Sequence, residues 1–129
     1  MKIRLETILN LNNMLKVIID NNDLKIDPLF KFNLLGIMKS IEVPIANFET
    51  IRNEKIREYG KETVDESGNK NISISKDDIE TMDKFTKDLN TIINSEVEVN
   101  IKKLKATDVF NKGVPAEYLV GLYPIIEVE

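Results

Sequence analysis

The sequence predicts an α+β chain in which helices pack on one face of a small, mostly antiparallel sheet and a β-hairpin projects. Three observations carry this expectation. Apolar residues recur every three or four positions over three long stretches, and they alternate with polar residues near both ends of the chain. A cluster of turn residues, Ser67, Gly68 and Asn69, separates two short β-like runs.

Met1, Ile3 and Leu5 alternate with Lys2 and Arg4, the pattern of a short half-buried strand. From about Thr7 the period changes. Ile8, Leu11, Leu15 and Ile18 form the stripe of an amphipathic helix, which the polar run DNNDLKID ends. Asp27 before Pro28 is a helix start, because the carboxylate can accept from free N–H groups and proline at the first helical position sacrifices no hydrogen bond. The next stripe runs through Phe30, Leu34, Ile37, Ile41, Ile45, Phe48, Ile56 and Tyr59, with Gly60 as its stop. Pro44 interrupts this run at a cost of about 3 kcal/mol in a helix interior, yet the apolar phase continues. A kink or helix–helix joint is therefore expected at Val43 and Pro44.

The turn cluster lies between Val64 and the alternating Ile72 and Ile74, so a hairpin is expected there, as the most mobile part of the chain. Ser75 and Asp78 have the spacing of a loose capping box. Ile79, Met82, Phe85, Leu89 and Ile92 make a third helical stripe. Val97, Val99 and Ile101 alternate with Glu96, Glu98 and Asn100, which predicts a central strand over 96–101. Asp108 is placed to cap a single turn stopping at Gly113, and Pro115 opens a last short helix that Pro124 limits. That final segment carries apolar groups on more than one side, namely Leu119, Val120, Leu122, Tyr123 and Ile126. It is expected to dock against the stripes of the first and third helices and close the core, with Glu127 and Glu129 in solvent. The competing reading makes it an exposed docking motif for a partner's groove.

The length, 129 residues, suits a single domain spanning 1–129. With 18 basic and 22 acidic residues the net charge is -4, which argues against a dedicated nucleic-acid binder. There is no cysteine, hence no disulfide, thiolate nucleophile or cysteine metal site. There is also no histidine, the commonest general base near neutral pH and the commonest transition-metal ligand. Charges and asparagines break every apolar run of the N-terminal segment, so neither a signal peptide nor a membrane span is expected, and the chain is assigned to the cytoplasm. The Asn71-Ile72-Ser73 match to a glycosylation acceptor is then coincidental.

Paired carboxylates could support acid–base chemistry, and Glu96 with Glu98, or Asp77, Asp78 and Glu80, are the candidates. The first pair is the solvated side of an alternating strand, and the second group complements the positive end of a helix dipole. The alternation of Asp65, Ser67 and Asn69 suggests a calcium loop, but its glycine is misplaced and no glutamate closes it. No glycine pattern resembles a phosphate-binding loop. No catalytic, cofactor-binding or metal-binding residue is therefore assigned. Arg52, Lys55 and Arg57 intersperse with Glu49, Glu54 and Glu58, as in helix-surface pairing. Lys102, Lys103, Lys105 and Lys112 are the candidate partner-binding residues, for an acidic protein or, as a weaker alternative, nucleic acid. The bland reading of the same lysines is a sheet edge protected against aggregation.

The order of segments resembles a family of small phage proteins of uncharacterised function from phages and prophages of low-GC Gram-positive bacteria. An N-terminal strand and helix, then the stretches FETIRNEKIREYGKE, DESGN, FTKDLNTIINSEVEVNI and VPAEYLVGLYPIIE, carry the likeness, which covers most of the chain and is weakest before Phe48. Pro44 and Val114 depart from the pattern, standing where a continuous helix and a capping serine are usual. The resemblance implies a phage setting and brings no catalytic residues. A non-enzymatic protein acting on another protein is expected, as an inhibitor or regulator of a host protein, including a defence system. A virion or assembly accessory is the alternative.

Overall fold

The computed structural model describes residues 1–127 and is an α+β fold. Two compact units are distinguished, one formed by Met1–Ile45 with Glu96–Glu129 and the other by Ala46–Ser95.

In the first unit, β1 (Lys2–Arg4) leads directly into α1 (Leu5–Asp20). Ile8, Leu11, Leu15 and Ile18 are all fully buried, so the predicted stripe is the core face of α1. α2 (Pro28–Ser40) starts as the Asp27-Pro28 pair implies, with Asp27 Oδ2 accepting from Phe30 N–H at 3.0 Å. Its inner face buries Phe30, Leu34 and Ile37. Ile41 then breaks the helix, and α3 runs over Glu42–Tyr59. The joint thus falls at Ile41, three residues before Pro44. Pro44 sits in the first turn of α3, where a helix has no intrahelical acceptor for its N–H groups and proline removes nothing.

β4 (Glu96–Glu98) pairs antiparallel with β1 in a two-stranded sheet, with Ile3 opposite Val97. The expected central strand over 96–101 is therefore corrected. Its regular pairing covers three residues, and Val99 N–H donates to Met1 O at 2.9 Å before the ladder stops. Alternation sets which face is buried, but a ladder also needs a partner of matching length, and β1 supplies three residues.

β5 (Leu104–Lys105) pairs in parallel with β6 (Ile126–Glu127). Between them, α5 (Ala106–Asn111) begins after Lys105, so Asp108 lies in its first turn and is not its cap. Gly113 does end this segment, with φ +98, and a Cβ there would collide with Lys25 O. A 3-10 turn (Ala116–Tyr118), α6 (Leu119–Leu122) and a second 3-10 turn (Tyr123–Ile125) follow. This tail packs on α1, where Gly121 lies against the Met14 side chain. Val109, Leu122 and Ile125 are fully buried and Val114 nearly so. Burial of this kind contributes about 1.5–3 kcal/mol per aliphatic side chain, so the tail belongs to the core. Val120 and Tyr123, counted at sequence level among its apolar groups, are instead 84% and 70% exposed. Glu127 is exposed as expected, and Glu129 lies outside the described residues.

In the second unit, β2 (Lys61–Val64) and β3 (Lys70–Ser73) form the predicted hairpin, exposed along its whole length. Asp65 Oδ1 accepts from Ser67 N–H at 2.9 Å and Asn69 N–H at 2.8 Å, and Gly68 takes φ +84. This carboxylate is spent on the turn, which explains the calcium-like spacing. α4 (Ile79–Ile93) starts at Asp78, not at Ser75 as a capping box requires. Asp78 accepts from Thr81 N–H and Oγ1, while Ser75 Oγ accepts only from Asp77 N–H. No helix among the described residues is long and apolar enough to cross a membrane.

Candidate functional site

The four lysines singled out in the sequence line one cavity of about 680 Å³ in the first unit. Residues 100–105 form one wall, with Lys102, Lys103 and Lys105 exposed. Lys112 follows α5, held where its carbonyl accepts from Asp27 N–H at 3.0 Å. The opposite wall is a face of α2 carrying Leu29, Asn33, Gly36 and Ser40, residues spaced by three and four and therefore in line along the helix. Leu29 is 68% exposed, and nothing lies within van der Waals reach of the position of a Cβ on Gly36. The buried Phe30 and Ile37 form an apolar floor.

Three carboxylates share the lining, those of Asp27, Asp108 and Glu127. Asp27 is committed to capping α2. No ion pair joins any of the four lysines to a described residue. Lys55 pairs with Glu58 at 3.0 Å and Lys70 with Glu62 at 3.7 Å, whereas lysines such as Lys16, Lys31 and Lys76 also have no ion pair to a described residue, so what sets the four apart is that they share one cleft. The cleft thus presents four ammonium groups without a carboxylate partner among the described residues, over apolar surface. In a protein of net charge -4, the lining carries four lysines against three carboxylates.

No family model, curated protein or solved structure matches the chain.

The other candidates are placed as follows. Glu96 and Glu98 are exposed on β4, and Glu98 Oε1 accepts from the Met1 ammonium at 2.7 Å. Asp77 and Asp78 meet Tyr59, Lys61, Ile74 and Ser75 around a smaller hollow of about 390 Å³ in the second unit. The hydrogen bond from the Thr81 hydroxyl, with that from its backbone N–H, holds the Asp78 carboxyl below its ordinary value. A general acid at neutral pH needs the opposite shift. No group of three Asp or Glu side chains among the described residues could hold a metal ion.

Sequence reasoning missed one cluster. Tyr59 Oη donates to Asp88 Oδ2 at 2.7 Å, and Lys55 Nζ approaches the same carboxylate at 3.7 Å and the Tyr59 ring centroid at 5.8 Å. The hydrogen bond to Asp88 pushes the Tyr59 phenol upward, and that to Glu58 pushes Lys55 upward. Lys55, Glu58 and Tyr59 share a helix face by spacing, but nothing in the sequence places Asp88 beside them.

Proposed function

We propose that this is a non-enzymatic, phage-encoded protein that acts by binding another protein, as an inhibitor or regulator of a host protein, and that Lys102, Lys103, Lys105 and Lys112 form its contact surface. One observation carries the reading: the four lysines line a single open cleft and none is paired with a described carboxylate. Four cationic side chains gathered around one cleft are what electrostatic recognition of an acidic partner uses, because such groups steer encounter and set register. The phage setting rests on the segment order described above.

Capture from infected cells tests this. The tagged protein is expected to retain a stoichiometric host protein, and the combined Lys102→Glu and Lys105→Glu variant is expected to lose it. Recovery in purified virions at fixed stoichiometry replaces the inhibitor reading with the virion or assembly accessory. A gel shift with duplex DNA retained at physiological salt replaces both with nucleic-acid binding.

A further inference from the structure

We infer that the cleft takes an acidic, extended peptide segment of the partner, added as a strand alongside residues 100–103. This rests on the protein-binding reading above and names the partner's chemistry. The backbone carries the first half of the argument. The alternation of Val97, Val99 and Ile101 continues past the end of the β1–β4 ladder, and pairing resumes only where Leu104 meets Ile126. Between these ladders, the N–H groups of residues 100–103 and the C=O groups of residues 100–102 make no hydrogen bond to any described residue. Each residue of this stretch has a backbone N–H and C=O, none being proline, and the whole stretch faces the cavity. An unpaired strand-like segment with free donors and acceptors is a template for strand addition.

The side chains carry the second half. Lys102, Lys103, Lys105 and Lys112 supply charge along the path of such a strand, and Leu29 with the open position at Gly36 gives apolar contact from the α2 side. A strand alternating acidic and apolar residues presents one kind to each wall. Nucleic acid fits less well: Phe30, the only aromatic side chain in the lining, is buried and offers no stacking surface.

The test uses the full chain and a short fluorescent peptide of alternating Glu and Val. Saturable, salt-sensitive binding is expected. It should weaken roughly tenfold or more in the Lys102→Glu, Lys103→Glu double variant, whose changes are on exposed side chains and leave the core intact. Amide exchange at residues 101–103 should slow on binding. A peptide of alternating Glu and Pro has the same charge but lacks half of the ladder donors, and it should not bind. Equal binding of the proline peptide, no saturable binding, or unchanged exchange at 101–103 would each overturn strand addition. So would concentration-dependent self-association that the double variant abolishes, since a second copy would then fill the cleft. The two readings fail separately. If the Glu-Val peptide does not bind while the lysine variant still loses its host protein in capture, protein binding stands and strand addition falls. If the peptide binds as described but capture yields no protein, strand recognition stands and the host-protein reading falls.

Discussion

The Tyr59 hydroxyl donates to the Asp88 carboxylate at 2.7 Å, joining the last residue of α3 to the middle of α4 across 29 positions of sequence. The bond exists only while the phenol keeps its proton, which is why Tyr59 titrates above its ordinary 10.0. A pKa raised by folding means that the contribution to stability is complete below pH 10 and disappears as pH climbs through the folded-state value. Lys55, raised above 10.5, acts in the same direction. In an absorbance titration of the three tyrosines, one phenolate should therefore appear later than the others, and Asp88→Asn should remove that late component. Three coincident titrations in the unmodified protein would refute the bond.

On the acid side the sign reverses. Asp78 is held below 3.8 by the Thr81 hydroxyl and then by the Thr81 N–H. Its cap is complete above about pH 4 and fails as pH falls from there through the lower folded-state value. Urea unfolding of Asp78→Ala should show reduced stability at neutral pH and a shallower decline below pH 4 than the unmodified protein. Parallel pH profiles would mean that the cap contributes nothing.

Two glycines should separate backbone conformation from steric contact. Gly68 has φ +84 with open space around it, so Gly68→Ala should cost about 1–2 kcal/mol, the ordinary penalty for a left-handed L-residue. Gly113 has φ +98 and its Cβ would also strike Lys25 O, a backbone atom that cannot swing aside. Thermal unfolding of Gly113→Ala should therefore show a clearly larger loss than that of Gly68→Ala. Equal losses would place the Lys25 carbonyl farther from Gly113 than the structure does.

The tail offers a contrast between neighbours. Leu122→Ala and Ile125→Ala, at fully buried positions, should each cost about 2–5 kcal/mol, whereas Val120→Ala, at an 84% exposed position, should stay within about 0.5 kcal/mol. Truncation after Gly113 should abolish cooperative unfolding. A truncated chain that still unfolds cooperatively would return the tail to the role of an external docking motif.

Amide exchange should locate the end of the first ladder. Val99, whose N–H is bonded to Met1 O, should exchange slowly, and residues 100–103 should exchange fast in the isolated protein. Protection continuing evenly through 101 would restore the longer strand that alternation alone suggested.

The sequence by itself determined what depends on neighbours a few residues apart. The stripe from Ile8 to Ile18 became the buried face of α1, because a helix places residues three and four apart on one side. Asp27 capped α2, and Ser67, Gly68 and Asn69 made the hairpin, because capping and positive φ are local matters. Tertiary structure decided everything that needed a distant partner. It ended β4 at Glu98 because β1 is short, and it set Asp88 beside Tyr59. It also gathered around one cleft the four lysines that the sequence offered as candidate partner-binding residues. Their cleft exists because α2 supplies the facing wall, bringing Leu29 and Gly36 opposite residues 100–105, a juxtaposition that no local spacing encodes.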